Sequence, residues 1–221
     1  MILAIDIGNT NIVIGCIDGK KCLFVERLST VRTKTELEYA FDVKNVLDIY
    51  HIKRTDIEGG IISSVVPQIT TVAKLAVEKI LKKEVLVVGA GIKTGLNIRI
   101  DNPAQLGSDL VVDSVAGITE YPVPLLIFDM GTANTVCVID KNKNYIGGMI
   151  YPGIGVSLDS LTAHASQLGG ISLEAPEHII GKNTVDCMKS GTIYSAAAAI
   201  DGIIDRLQEE LGGQATVIAT G

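Results

Sequence analysis

The chain has 221 residues, of which 47% are apolar and only 4% aromatic, with no Trp and a formal net charge of −6. That length suits one large domain or two small ones, and the apolar share is enough to bury a core. The scarcity of aromatics and the lack of any Lys/Arg block argue against base-stacking or phosphate-backbone surfaces, so no nucleic-acid partner is expected and any bound anion is small and held locally.

Residues 2–7 and 12–17 are apolar and β-branched with a Gly-Asn-Thr-Asn turn between them, which predicts a hairpin, and 22–29 predict a third strand. Thr35 and Glu38 have capping-box spacing, with Leu37, Phe41 and Leu47 following at helical intervals. "GGIISSVVP" predicts a buried strand ending at Pro67, 68–83 an amphipathic helix and "EVLVVG" another strand. Asn102 before Pro103 predicts a helix start. The pattern then restarts: "LLIFDMGTANTVCVID" is strand-turn-strand, and "NYIGGMIYPG" a third strand with a glycine-rich exit. Among the helices that follow, a long one is expected from about Thr192 to Leu211, ended by Gly212-Gly213. "ATVIATG" predicts a last strand, and a strand ending in Thr-Gly leads to the expectation that the native protein continues past Gly221.

The four cysteines, Cys16, Cys22, Cys137 and Cys187, form no C-x-x-C pair, and three sit in apolar, strand-like surroundings. Buried free thiols in a reducing compartment are the expectation. "MILAID" lacks a basic leader and meets a carboxylate at Asp6, and no apolar run approaches membrane-span length. A soluble, cytoplasmic protein with no membrane partner is expected.

One spacing separates Asp6 from Asp129, Gly8 from Gly131 and Asn11 from Asn134. Two copies of one α/β unit facing each other across a cleft are therefore expected, with a boundary near Glu120–Pro124, giving domains 1–120 and 121–221. A hairpin tip rich in Gly, Asn and Thr presents N–H groups and hydroxyls that suit phosphate oxygens. The Asp beside it repels phosphate unless a cation lies between, and Mg²⁺ needs few protein carboxylates. An ordinary turn is the plainer reading of one such hairpin; two matching copies favour a polyphosphate gripped from both sides.

The duplicated pattern resembles the actin, sugar kinase and heat-shock chaperone superfamily, and within it the type III pantothenate kinases. The resemblance rests on an ordered set: "DIGNTN" at 6–11, "ISSVVP" at 62–67, "DNPAQLGSD" at 101–109, "DMGTANT" at 129–135, "GGMIYPG" at 147–153 and "GKNT" at 181–184. It implies an α/β fold of two duplicated ribonuclease-H-like domains with an ATP cleft between them. It further implies ATP phosphates on the first turn, Asp6, Ile7, Gly8, Asn9, Thr10, Asn11, Ile12 and Val13, and on Thr132. A monovalent cation, K⁺ or NH₄⁺, is implied at Asp129, alongside Mg²⁺ with the ATP. The family's Gly-Ala-Asp-Arg segment corresponds to Gly107, Ser108, Asp109 and Leu110, with Asp109 the base that takes the proton from the pantothenate hydroxyl. Thr184 matches a threonine that contacts pantothenate. Paired subunits share the sites in the family, which implies a homodimer.

Three positions depart from the family pattern: Leu110 in place of Arg, Asp113 in place of Asn, and Asn134 in place of Thr. Arg99 is a candidate to replace the missing cation. His164 in "LTAHASQL" reads as a capping or core histidine rather than a ligand, His51 and His178 lack metal-ligand spacing, and Tyr151 either shapes the cleft or packs. The implied activity is ATP-dependent phosphorylation of pantothenate, the first step towards coenzyme A. The alternatives are a kinase for another small hydroxyl compound, and a nucleotide-binding regulator or scaffold without kinase activity.

Overall fold

The computed structural model describes residues 1–89, 92–165 and 167–221. The opening hairpin forms as its alternation dictates: β1 (Ile2–Ile7) pairs antiparallel with β2 (Asn11–Asp18), and β3 (Lys21–Ser29) pairs antiparallel with β2. Leu3, Ile5 and Ile7 of β1 and Ile12, Ile14 and Cys16 of β2 point into the core at every second position.

α1 (Glu36–Ile49) starts at the expected capping box: the Glu38 N–H donates to Thr35 Oγ1 at 3.4 Å and the Thr35 N–H to Glu38 Oε2 at 2.7 Å. Its buried face is Tyr39, Ala40, Val43, Val46 and Leu47. Leu37 and Phe41, expected on that face, are 54% and 55% exposed. They lie four apart on a second stripe, and the better-populated stripe wins the core.

β4 (Gly59–Ser64) lies parallel to β1, α2 (Pro67–Leu81) follows with Pro at its start, and β5 (Val85–Val87) pairs parallel with β4. The first sheet has the order β3-β2-β1-β4-β5. A short strand, β6 (Asn97–Ile98), precedes a single 3-10 turn at Pro103–Gln105. The helix expected from Asn102 begins only at Ser108, as α3 (Ser108–Glu120). Gly107 separates the two, and its carbonyl accepts from the Val111 N–H at 3.2 Å, which makes Gly107 the cap.

β7 (Leu125–Met130), β8 (Ala133–Ile139) and β9 (Asn144–Pro152) form an antiparallel meander, followed by α4 (Ile154–His164), α5 (Thr184–Leu211) and β10 (Thr216–Thr220). The second sheet has the order β10-β7-β8-β9-β6. In both sheets a three-stranded meander is extended by a later strand running parallel to its first one, so the architecture is repeated. α5 starts at Thr184 rather than at the expected Thr192, because Asn183 Oδ1 caps it by accepting from the Asp186 N–H at 2.9 Å.

By its internal contacts the chain divides into Met1–Thr94 with Ala104–Val112, and Gly95–Pro103 with Asp113–Gly221. Each unit has its own core. In the first, the buried face of α1 and Ile69, Ala73, Ala76 and Val77 of α2 join the β1, β2 and β4 side chains. In the second, Leu126, Phe128, Val136 and Val138 pack against Ile200, Ile203, Ile204, Leu207 and Leu211 of α5, a single helical stripe. α3 approaches β7 so closely at Gly117 that a Cβ there would meet Ile127 at 2.7 Å and Leu125 at 2.8 Å.

Cys16 and Cys137 are buried, but Cys22 and Cys187 are exposed, against the expectation of mostly buried thiols; none of the four is in a disulfide. Cys22 sits at the start of edge strand β3 and Cys187 in the first turn of α5. Among the described residues no helix is long and apolar enough to cross a membrane.

Candidate active site

The first unit gathers the candidates Asp6 to Val13 and Gly107 to Leu110. The β1–β2 turn is closed by the Gly8 N–H donating to the Asn11 carbonyl at 2.9 Å. The segment after β3 braces it from outside. Thr30 Oγ1 donates to the Gly8 carbonyl at 2.7 Å, and the Thr30 N–H to the Thr10 carbonyl at 2.9 Å. Arg32 Nη2 donates to Asn9 Oδ1 at 3.1 Å. Neither Thr30 nor Arg32 stands out in the sequence, since only the folded hairpin brings them to the turn.

Asp6 ends up directly across from Ser63 on β4. Its side chain keeps contact with solvent, yet enough protein surrounds the carboxyl to push it above the usual carboxylate range. Burial is the main cause, the hydrogen bond from Ser63 opposes it, and the negative charge of Asp109 adds to the rise.

Ser63 is buried and faces two acceptors, the Asp6 carboxylate and Ser108 Oγ at 3.3 Å. The ionised carboxylate is the stronger acceptor. Ser108 is itself fixed to the end of β4: its hydroxyl donates to the Ser64 carbonyl at 3.0 Å and accepts from the Ser64 N–H at 3.0 Å. The two serine hydroxyls thus stand 3.3 Å apart between the turn carboxylate and the helix start that carries Asp109, Ser63 bonded to Asp6 and Ser108 to the Ser64 backbone. The "ISSVVP" motif holds the serines, but their partners depend on β1–β4 pairing.

Asp109 is half-buried in the first turn of α3. Its Oδ1 accepts from the Leu110 N–H at 2.9 Å, and a Cβ on Gly107 would fall 2.3 Å from that same oxygen. The absent side chain at Gly107 therefore leaves room for the carboxylate. Leu110 is half-buried and brings no charge. Arg99, the candidate substitute cation, belongs to the second unit; there burial pushes the Asp140 carboxyl up, but hydrogen bonds from Asn144 and Asn142, with a smaller contribution from the Arg99 charge, hold it below the usual range.

The second unit holds Asp129, Thr132 and Thr184. Asp129 lies near the end of β7, half-buried, with Thr135 of β8 and Thr220 of β10 as its cross-strand partners. Thr132 is exposed in the β7–β8 turn, and its carbonyl accepts from the Gly153 N–H at 3.0 Å. Gly153 must lack a side chain, since a Cβ would fall 2.0 Å from the Gly131 carbonyl oxygen. Thr184, the first residue of α5, lines a cavity of about 780 Å³ between α4 and α5, together with Asn134 and Tyr151. Tyr151 therefore shapes a cavity, and its hydroxyl is buried without a hydrogen-bond partner among the described residues. His164 is exposed at the end of α4.

Two features fit cations. Asp6 is a carboxylate whose charge is made unfavourable by burial and by a second carboxylate, a situation that a cation relieves. Across from Asp129, Thr135 Oγ1 is buried and unpartnered among the described residues, and residues directly opposite share a face. An oxygen set of this kind suits a hard cation. No group of three or more His, Cys, Asp or Glu among the described residues could hold a metal, so any ion bound at these positions takes most of its ligands from substrate, backbone and water.

Two α/β units, each built on a meander whose first strand carries Asp near its end and runs through a Gly-containing turn into an antiparallel partner, define an actin-like ATPase or sugar-kinase fold of duplicated ribonuclease-H-like domains. Solved structures agree on the fold. A protein from Campylobacter jejuni described as a Baf family transcriptional activator superposes with a TM-score of 0.51 at 19% identity, over 90% of this chain and 78% of that one. Component A of (R)-2-hydroxyglutaryl-CoA dehydratase from Acidaminococcus fermentans gives 0.50 at 13% identity, over 98% and 90%. The family model for type III pantothenate kinase matches residues 2–206. The type III pantothenate kinase of Exiguobacterium sp. (strain ATCC BAA-1283 / AT1b) is 46% identical over all 221 residues and 87% of its own length. The chain belongs to the type III pantothenate kinase family.

Proposed function

We propose that this protein transfers the γ-phosphoryl group of ATP to the hydroxyl of pantothenate, giving 4'-phosphopantothenate and ADP, the first step of coenzyme A biosynthesis. Family membership supports the reaction, and the Asp6–Ser63–Ser108–Asp109 arrangement is the observation that carries the roles. Phosphoryl transfer depends mainly on positioning and charge neutralisation. The first turn, Asp6 to Val13, and Thr132 bind the ATP phosphates, and Asp6 would hold the Mg²⁺ that would neutralise their charge. Asp109 accepts the hydroxyl proton as the pantothenate oxygen attacks, and Gly107, Ser108, Leu110 and Thr184 hold pantothenate. A monovalent cation, K⁺ or NH₄⁺, sits at Asp129.

The protein acts as a cytoplasmic homodimer. Support for the dimer comes from the α4–α5 cavity, whose lining of Leu158, Leu161, Met188, Ala196 and Ala199 is apolar, and from Leu161 and Tyr194, which are exposed although large. A monomer by light scattering at micromolar concentration would overturn it.

The test is pantothenate-dependent ATP consumption in K⁺ against Na⁺ buffer. Turnover that needs K⁺ or NH₄⁺ and falls by roughly 10²–10⁴-fold in Asp109→Asn is the expected result. ATP binding without turnover on pantothenate would instead favour the second reading, a kinase for another small hydroxyl compound. That reading draws on Leu110, an apolar side chain beside the base. Nucleotide binding with no turnover on any acceptor would point to a regulator or scaffold.

A further inference from the structure

We propose that Arg32 is a phosphate-binding residue, a guanidinium held at the tip of the first turn to meet the polyphosphate of the nucleotide. The inference rests on the reading of that turn as the ATP-phosphate site. Arg32 lies just past the end of β3, in a segment that Thr30 ties to the turn at two points, the carbonyls of Gly8 and Thr10. Its position relative to the turn is therefore set by the backbone rather than by a wandering side chain.

The guanidinium is exposed, and its Nη2 donates to Asn9 Oδ1 at 3.1 Å. Among the described residues it forms no salt bridge, although the chain carries 25 acidic residues against 19 Lys and Arg. Lys34, two positions on, is by contrast paired with Asp42 at 2.7 Å. A neutral amide orients the guanidinium without cancelling its charge. It uses one N–H and leaves the remaining donors of a planar fork that matches phosphate oxygens.

Charge argues the same way. The first unit's candidate residues include two carboxylates, Asp6 and Asp109, which repel each other and would repel a polyphosphate. Arg32 is the cationic side chain that the fold hydrogen-bonds to this turn. The ordinary alternative is a solvated surface arginine whose bond to an exposed amide does little. That alternative predicts no distinction between ligands with and without phosphates.

The experiment compares Arg32→Lys, Arg32→Gln and Arg32→Ala with the wild type in the full chain. Pantothenate-dependent turnover gives KM and kcat, and calorimetry gives affinity for Mg-ATP and for adenosine, which lacks phosphates. Gln can still donate to Asn9 but carries no charge; Lys keeps the charge without the fork. The expected result is a rise of about tenfold in KM and Kd for ATP in the Gln and Ala variants, the scale of one lost charge-assisted hydrogen bond. Lys should recover part of it, kcat should hold, and adenosine affinity should be unchanged. ATP affinity should also fall less steeply with added salt in Arg32→Gln than in the wild type. Unchanged ATP binding in Gln and Ala, or equal losses for ATP and adenosine, would overturn the inference while leaving the kinase reading intact. A wild type that binds no ATP would overturn both.

Discussion

Ser63 on β4 stands directly across from Asp6 on β1 and gives a hydrogen bond to its carboxylate, yet the carboxyl is still raised above its ordinary value of 3.8. Burial and the charge of Asp109 outweigh the bond. A carboxylate raised by folding is one whose ionised form the fold disfavours. The cost is present above the folded-state value and disappears as pH falls below the unfolded one. Asp6→Asn, which can still accept from Ser63, should therefore melt at a higher temperature than the wild type near neutral pH. That excess should shrink as pH is lowered through the carboxylate range and vanish below about 3.8. The same variant should lose Mg-ATP-dependent turnover. A constant excess across the pH series would remove the electrostatic explanation.

Gly107 keeps space for the Asp109 carboxylate, whose Oδ1 would lie 2.3 Å from an added Cβ. The conflicting atom is at the end of a side chain, so Gly107→Ala should turn the carboxylate aside rather than unfold α3. A misplaced base should cost roughly tenfold or more in kcat, with the melting temperature and the KM for ATP little changed. Steady-state kinetics beside a thermal melt separate this from general damage.

Thr30 contributes its hydroxyl to the Gly8 carbonyl at 2.7 Å. Thr30→Val keeps the shape and removes the bond, at about 1 kcal/mol of stability. The loosened turn should raise the KM for ATP more than it lowers kcat. An equal effect on both would mean the brace acts on chemistry rather than on phosphate binding.

Gly153 faces backbone, not a mobile side chain: its Cβ would fall 2.0 Å from the Gly131 oxygen and 2.8 Å from that of Thr132. Neither can move without opening the β7–β8 turn. Gly153→Ala should destabilise the protein by about 2 kcal/mol or more, readable as a lowered urea midpoint, and should weaken ATP binding through Thr132.

The strands were legible because alternation and β-branched runs mark them, and the α1 cap because Thr35 and Glu38 carry its chemistry. Leu37 and Phe41 misled because an apolar pair at helical spacing looks the same on either stripe of a helix; only the competing stripe through Tyr39, Val43 and Val46 decides. The early start of α5 was hidden by Gly191, a residue that the helix accommodates. Ser63, Thr30 and Arg32 could not be assigned, since their roles arise from pairing between strands distant in sequence. The duplication itself reads more regular than it is. Asp6 pairs with Val13, but Asp129 pairs with Thr135, so the second turn is one residue tighter in register. A one-residue change in register moves a strand's side chains to the opposite face. This puts a hydroxyl beside Asp129 where Asp6 has an aliphatic neighbour.

The distribution of thiols makes the molecule its own ruler. The first unit seals Cys16 in its core and leaves Cys22 on its surface; the second buries Cys137 and exposes Cys187. Reaction with a spin label under native conditions should therefore mark one point on each unit with no substitution at all, since burial protects the other pair. A distance distribution between the two labels, recorded with and without Mg-ATP and pantothenate, turns the response of the two units to their substrates into a number.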